Sequence, residues 1–175
     1  MRTIVIIAIC LVALFALILG FTCLIGSRLP VSHSATRSIL LHRPADEIYR
    51  LVRDVASAPT WRSDVTSVEL VGEVNGKLNY REHGKQGDVT YEIFEEIPGE
   101  RIVTRIVDTD LGYSGKWTTV FKSEAGGTRV MITEDGEVSN VLFRFMSHYV
   151  FGQTSTIDAY LNALAKRFGE NVQPQ

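Results

Sequence analysis

The residues whose types suit acid–base chemistry are concentrated in one stretch late in the chain. Three carboxylates stand together in Glu134-Asp135-Gly136-Glu137. A carboxylate whose pKa is raised by burial can act as a general base. The sequence favours a plainer interpretation, a strand end with a glycine-marked bulge or turn whose charges lie in water. Because neighbouring strand residues point to opposite faces, either Thr133 or Glu134 faces the inside of the predicted sheet.

Arg144 and His148 follow that acidic stretch, four residues apart and therefore on one face of a helix. Contact with a ligand is one role for them. The favoured role is structural, an ion pair in which Arg144 fastens the start of a helix to the acidic strand end. A charge buried without a partner is costly, so a partner is expected. The stretch is therefore predicted to join a sheet to a helix rather than to catalyse a reaction.

A metal centre is not predicted, because the histidines are dispersed along the chain. No two of them stand three or four residues apart, and no H-E-x-x-H pattern occurs. The stretch from Asp108 begins like a calcium loop but places Gly112 and Tyr113 where the loop needs other residues. The histidines are His33, His42, His83 and His148. We expect neither a metal nor a cofactor.

Nucleophilic catalysis has no recognisable motif either. Ser114 lies in Gly-Tyr-Ser-Gly-Lys, which is not the G-x-S-x-G turn of the α/β-hydrolases, and phosphate-binding loops are absent from the sequence. Cys10 and Cys23 both fall in an apolar N-terminal stretch, so the remainder has no thiol and no disulfide framework. No catalytic residue is assigned, and the sequence leans away from an enzyme without deciding the matter.

The charge balance gives no reason to expect a nucleic-acid partner. The 175 residues include 18 Lys and Arg against 20 Asp and Glu, a formal charge of -2. No block of like charge forms a basic arm or an acidic tail. The chain is long enough for one domain with a sizeable core.

The N-terminus carries the strongest hydropathy signal. Residues 4–25 contain no charge and no proline, and as a helix they would extend about 33 Å, against about 30 Å for a bilayer core. Residues 1–27 are therefore predicted to be a transmembrane anchor. A cleaved secretory signal and lipidation at Cys23 are the alternatives, and both fit the flanking residues less well.

Positive charges flanking the anchor favour a cytoplasmic location for the rest of the chain. One arginine precedes the apolar stretch and three follow it within the range that influences orientation. They are Arg2 on one side and Arg28, Arg37 and Arg43 on the other. The predicted topology is a single-pass membrane protein.

The residues after the anchor predict an α+β domain. A linker over residues 28–34 precedes a first strand at 35–41. Pro44 then opens an amphipathic helix in which Ile48, Leu51, Val52 and Val55 recur at spacings of three and four. Over residues 65–138 the period changes to two, with six strands separated by short glycine and proline turns, as in antiparallel hairpins.

The C-terminal segment predicts a long helix that covers one face of this sheet. Asn140 is a candidate cap, and Gly152 is a candidate kink. Apolar residues recur along one stripe of the helix at Ile157, Leu161, Leu164 and Phe168. If a curved sheet wraps this helix without touching it everywhere, a cavity remains between them.

This order of elements, with its motifs, resembles the SRPBCC superfamily, the START and birch-pollen-allergen-like helix-grip proteins. The likeness covers about residues 35–168 and rests on HRPADEIYRLVRDVASAPTW, GKWTTVF, GGTRVMITEDGEV and FRFMSHYVFG. Within it, the chain most resembles the polyketide cyclase/dehydrase and lipid transport branch. The domain is assigned to residues 35–170, followed by a tail over 171–175.

The resemblance implies a mostly apolar cavity between a curved antiparallel sheet and the long C-terminal helix. The expected ligand is a lipid or another hydrophobic small molecule, bound next to the membrane. Aromatic and aliphatic residues that alternate toward the inside are the candidate cavity wall. They are Trp61, Tyr91, Trp117, Phe121, Phe145, Tyr149, Ile157 and Leu161.

Two further functions fit the same resemblance. A cyclase or dehydratase acting on a hydrophobic polyketide-like substrate would need a His, Asp or Glu in the cavity with a shifted pKa. A protein-interaction module would have its interior filled by its own side chains, with a cavity below about 300 Å³. The sequence leaves the ligand, the membrane side and the oligomeric state open.

Overall fold

A computed structural model describes residues 2–85 and 87–175. Helix α1 spans Arg2–Arg28, and none of its most apolar window is buried, although Gly26 near its C-terminal end is. Its mean hydropathy over that window is 3.3, so the helix is long and apolar enough to cross a membrane.

The domain that follows is a seven-stranded antiparallel sheet. The strand order is β1-β7-β6-β5-β4-β3-β2. Strands β2 to β7 therefore each pair with the next strand in sequence, and β1 pairs with β7. This confirms the predicted α+β helix-grip fold with its first strand and six further strands. The strands are β1 Ser32–Leu41, β2 Val65–Val74, β3 Lys77–Gly84, β4 Gly87–Ile97, β5 Arg101–Ile106, β6 Tyr113–Glu124 and β7 Gly127–Val138.

Helix α2, Ala45–Arg53, fills the connection from β1 to β2 together with a 3-10 turn, Val55–Thr60. Pro44 precedes α2 with an extended backbone, and the acidic side chains of Asp46 and Glu47 lie at the positive end of the helix dipole. The 3-10 turn packs against β2 and delivers Trp61 and the residue after it to the interior of the fold.

The predicted long C-terminal helix is two helices. Helix α3, Val141–Met146, continues into one π-helical turn, Ser147–Phe151, and α4 spans Ser155–Arg167. Gly152 has a positive φ of 79°, a conformation that glycine adopts without strain, and the chain changes direction there. Asn140 caps α3 as predicted, because its side chain accepts a hydrogen bond of 2.9 Å from the Phe143 amide.

The core lies between α4 and one face of the sheet. Ile157, Leu161 and Leu164 are fully buried against residues of β1, β4, β5, β6 and β7. The end of the chain protects the β1 edge, since the amide and carbonyl of Ser38 exchange hydrogen bonds with Gln175. Strand β1 begins at Ser32, so its first three residues come from the segment assigned to the linker, which leaves Leu29–Val31 between α1 and the sheet.

A half-polar cavity beneath the last helix as the candidate functional site

A partly open cavity lies between the sheet and the N-terminal half of α4. Its volume is about 110 Å³. Strands β3 to β6 supply its floor, the turn around Val55–Arg62 supplies one wall, and Thr156 and Tyr160 of α4 supply the roof. An apolar cavity of about 150 Å³ holds one benzene ring, whereas drug-sized ligands occupy about 300 Å³ or more. The preformed space is therefore about the size of a single ring.

Aromatic rings form most of the apolar wall. Tyr160 makes edge-to-face contacts with Trp61, at 5.3 Å between ring centroids, and with Trp117, at 5.6 Å. Tyr80 and Tyr91 stack on each other at 5.5 Å, because they are directly opposite in the β3–β4 pair. Tyr160 thus joins the helix to both tryptophans, and a movement of this one side chain would change the shape of the cavity.

One end of the cavity is charged. Arg62 Nη1 donates a hydrogen bond of 2.7 Å to Glu82 Oε1, and Arg62 Nη2 donates one of 2.7 Å to Asp64 Oδ2. The Arg62 and Glu82 side chains are 15% and 11% exposed, so this is an ion pair largely withdrawn from water. The Arg62 guanidinium also lies 5.2 Å from the centroid of the Tyr160 ring, at cation–π distance.

The pKa values of the two carboxylates that contact Arg62 are shifted in opposite directions. Burial raises the pKa of Glu82, and the neighbouring Arg62 offsets only part of that effect. Burial also acts to raise the pKa of Asp64, but the hydrogen bond and positive charge of Arg62 outweigh it and lower this pKa below its usual value. For Arg62, burial opposes the charged form, while Asp64 and Glu82 outweigh it and raise its pKa. Of these two carboxyl groups, Glu82 is therefore the better candidate for a general acid, because its pKa is raised and it lines the cavity.

The cavity retains unused hydrogen-bond donors. The Trp61 Nε1–H is buried and has no acceptor among the described residues. Burial raises the pKa of Tyr80, Tyr91 and Tyr160, which keeps their hydroxyl groups protonated at neutral pH. An unsatisfied buried N–H costs about 1–3 kcal/mol, so an acceptor placed beside Trp61 would be stabilising.

The predicted wall residues divide into two groups. Trp61, Tyr91 and Trp117 line the cavity. The other five lie outside it. Phe121 packs edge-to-face on Tyr49, and Ile157 and Leu161 are fully buried in the hydrophobic core. Phe145 and Tyr149 pack on each other before α4 begins.

The acidic stretch lies near the end of strand β7 and pairs in regular register with β1 and β6, so the predicted glycine-marked bulge or turn is wrong. Gly136 pairs with His33 across the sheet, and the His33 ring occupies the space where a side chain at position 136 would lie. Glu134 faces the interior: Trp117 Nε1 donates 2.7 Å to its Oε2, and His33 Nε2 lies 3.0 Å from its Oε1. Both carboxylate oxygens are engaged, which gives Glu134 the role of orienting Trp117.

The predicted ion pair between Arg144 and the acidic stretch is also wrong in its partner. Arg144 is buried and donates hydrogen bonds to four backbone carbonyl groups, at distances between 2.9 and 3.3 Å. Two belong to the end of β7, at Val138 and Ser139, and two belong to the end of α1, at Gly26 and Leu29. Arg144 therefore fastens the helix start to the strand end, as expected, and also to the apolar N-terminal helix.

Sequence reasoning missed the charged end of the cavity. Arg62 and Glu82 are 20 residues apart, and arginine and glutamate are residue types that usually lie on the protein surface. Tyr160 was missed because it lies beside the apolar stripe of α4, one residue before Leu161. The signal present in the sequence was the alternation of Tyr80 and Glu82 in β3, which sends both to one face.

Comparison with known proteins identifies a family and a fold. Residues 32–169 match the family described as polyketide cyclase / dehydrase and lipid transport. The Zhui aromatase/cyclase from Streptomyces sp. R1128 is similar in structure, with a TM-score of 0.63 and 17% identity over 78% of this chain and 93% of that chain. A START superfamily protein from Mycobacterium smegmatis has a TM-score of 0.62 and 16% identity, over 77% and 96% of the two chains.

The di-domain ARO/CYC StfQ from the steffimycin biosynthetic pathway is similar as well, with a TM-score of 0.63 and 12% identity. The match covers 79% of this chain and 52% of that one, so the chain spans about half the length of the di-domain protein. Identities this low establish a shared fold and leave the reaction open. No curated protein matches the chain in sequence.

Proposed function

Because the chain belongs to the polyketide cyclase/dehydrase and lipid transport family, we propose that it is a membrane-anchored domain that binds a hydrophobic small molecule. The molecule carries a ring or head group with a hydrogen-bond acceptor, and this part occupies the cavity beneath α4. The observation that carries the proposal is Trp61, which lines this ring-sized cavity and whose buried Nε1–H has no acceptor among the described residues.

The volume of the cavity limits what it can hold in this conformation. At about 110 Å³ the cavity is smaller than a lipid-binding site. By volume alone it fits better the alternative of a protein-interaction module, whose cavity would be below about 300 Å³. A ring-sized head group would bury about 200 Å² and contribute about 5 kcal/mol, whereas micromolar affinity needs about 8 kcal/mol. The difference must come from hydrogen bonds and from an apolar tail that leaves the cavity or displaces Tyr160.

The anchor gives such a ligand a short path. A hydrophobic compound resides mostly in the bilayer. If α1 spans the membrane, only residues 29–31 connect it to the first strand of the domain. The three-residue connection limits how far the cavity can move from the lipid surface. We therefore place the exchange of ligand between bilayer and cavity at the membrane surface, with the domain on the cytoplasmic side as the flanking arginines favour.

The proposal is tested with the full-length chain in detergent and two small ligands of matched shape. Acetophenone carries a carbonyl acceptor, and cumene replaces that carbonyl with an apolar branch. Binding is followed through tryptophan fluorescence. Acetophenone is expected to bind more tightly by about 1 kcal/mol, or about fivefold, and Trp61→Phe is expected to remove this preference. Equal binding of the two ligands, or no saturable binding by either, would contradict the proposal.

A cyclase or dehydratase is the second candidate, and Glu82 is the observation that favours it. Glu82 lines the cavity, and burial raises the pKa of its carboxyl group above the usual value, which is the direction that a carboxylic acid acting as a proton donor requires. A poly-β-ketone thioester analogue would be incubated with the full-length protein and with Glu82→Gln, and ring formation followed by absorbance. Cyclisation that Glu82→Gln abolishes would establish this candidate, and equal rates with and without protein would dismiss it.

A further inference from the structure

An exposed apolar surface continues from the end of helix α1. Tyr149, Val150 and Phe151 each expose more than half of their surface, and Leu142 and Phe143 expose about two-fifths. We name these five residues the apolar platform. Single exposed apolar residues are ordinary, but five within ten positions concentrate exposed apolar surface in one short segment of the chain.

The platform is fixed at the end of α1 by direct contacts. Arg144, which directly follows Leu142 and Phe143 in α3, donates to the carbonyls of Gly26 and Leu29 at 3.3 and 3.1 Å. Val141 packs against Gly26 so closely that a Cβ there would lie 2.3 Å from the Val141 oxygen. The start of α3 therefore meets the C-terminal end of α1 without an intervening side chain.

This contact determines the depth of the platform relative to a bilayer. The uncharged stretch of residues 4–25 extends about 33 Å, so Gly26 lies at the boundary of a hydrocarbon core of about 30 Å. Val141 and Arg144, which contact Gly26, lie at about this level, and residues 149–151 follow Arg144 within about 11 Å at 1.5 Å per residue. Aromatic side chains are enriched at this interface, where their rings leave water while polar edges stay hydrated. From Phe145 to Ile157 the chain has no Asp, Glu, Lys or Arg that would have to be desolvated.

We propose that the apolar platform lies in the lipid interface, so that α3 and the π-helical turn form a second, monotopic contact with the bilayer beside the spanning helix. This inference rests on the proposed function, because it requires α1 to span the membrane. The contact makes the domain lie against the membrane with residues 142–151 beneath it. Thr156, a cavity-lining residue, follows Phe151 by five positions, so only residues 152–155 separate the lipid contact from the roof of the cavity along the chain.

The test places an environment-sensitive probe on the platform of the full-length protein in phosphatidylcholine vesicles. In a Cys10→Ala, Cys23→Ala background, Val150→Cys is labelled with nitrobenzoxadiazole, and Tyr149→Cys is a second position. The matched control is Val74→Cys, a valine of similar exposure at the β2–β3 hairpin. Spin-labelled lipid quenches probes in the interface, iodide quenches probes in water, and vesicle flotation reports anchoring separately.

The expected result is loss of Val150 and Tyr149 probe emission to spin-labelled lipid and loss of Val74 probe emission to iodide, with the protein floating with the vesicles. Flotation with both platform probes quenched by iodide would overturn the inference and leave the anchor intact. Protection from both quenchers would show that protein, such as a second copy, covers the platform, and would also overturn it. Failure to float would overturn the anchor and the inference together, while the ligand tests in detergent would still stand.

Discussion

Arg62 and Glu82 form an ion pair at the charged end of the cavity, with 2.7 Å between Nη1 and Oε1. Arg62 approaches from the turn after α2, and Glu82 approaches from β3, so the pair joins two elements that the backbone connects only through the β2–β3 hairpin. Removing one partner of a buried pair leaves the other charge uncompensated, at a cost of about 3–5 kcal/mol. The pair is therefore a structural support of the cavity as well as its polar feature.

Arg62→Met is accordingly expected to lower the free energy of unfolding by about 3–5 kcal/mol, measured by urea denaturation of the full-length protein in detergent. The control is Arg50→Met, which removes an i, i+4 pair with Asp46 whose side chains are 72% and 66% exposed. That change should cost less than about 1 kcal/mol. Equal losses from the two substitutions would contradict the burial of the Arg62–Glu82 pair.

The tyrosines of the cavity predict a loss of stability at alkaline pH. Burial raises the pKa of Tyr80, Tyr91 and Tyr160 above the usual value of about 10. The unfolded chain loses these protons near pH 10 and the folded chain loses them later, so their contribution is complete below pH 10 and declines as pH rises through the raised values. Each residue contributes a slope of about 1.4 kcal/mol per pH unit in that range.

Tyr160→Phe should therefore reduce the alkaline slope by one such increment, measured as the free energy of unfolding against pH with tyrosinate absorbance in parallel. Tyr149→Phe is the control, because Tyr149 does not line the cavity. A slope that is unchanged in Tyr160→Phe would mean that the Tyr160 hydroxyl is in water and that the cavity roof is open.

Arg144 predicts how α3 is held. Arg144→Met removes the donors to four carbonyl groups and should raise amide hydrogen exchange over residues 139–151, at a cost of about 2–4 kcal/mol in local stability. Arg144→Lys should rescue this only in part, because an ammonium group cannot reproduce the planar fork of a guanidinium. Arg129→Met, which removes a pair with Glu124 elsewhere in the sheet, is the control. Unchanged exchange in Arg144→Met would refute the role of Arg144.

Two glycines of α1 provide a matched pair for the contact with α3. Gly20 has no atom within 4 Å of an added Cβ, whereas Gly26 would bring its Cβ to 2.3 Å from the Val141 oxygen. Ala normally stabilises a helix by about 0.5–1 kcal/mol relative to Gly. Gly20→Ala should therefore leave exchange in α3 unchanged, and Gly26→Ala should increase it. Identical exchange in both variants would show that α1 and α3 separate in the membrane.

The elements of the fold were predictable because periodicity reports them directly. Period two in residues 65–138 gave six strands, and the capping role of Asn140 followed from its residue type. The break at Gly152 was underestimated as a kink, since the sequence does not show that the backbone there takes a positive φ. The spacing of apolar residues shows where a helix can form, but it does not show whether one helix continues into the next.

The site was less predictable because facing the interior does not decide between core and cavity. Phe121 and Trp117 share one face of β6, yet Tyr49 of α2 fills the space above Phe121 and Tyr160 leaves a gap near Trp117. Ile157 and Leu161 likewise lie about 100° around α4 from Thr156 and Tyr160. Which neighbour fills the space depends on contacts distant in sequence, and these set the position of the cavity.

Native mass spectrometry of the full-length protein, purified from membranes with its anchor intact, tests the central claim of a ligand beneath α4 most directly. Thr119→Phe fills the cavity that Thr119 lines, and Thr118→Phe places the same bulk on the opposite face of β6. A hydrophobic compound with a carbonyl or hydroxyl group is expected to copurify with the unaltered protein and with Thr118→Phe, and to be absent from Thr119→Phe. A protein that carries no such compound and takes none up, or a compound that Thr119→Phe retains, would refute a ligand site beneath α4.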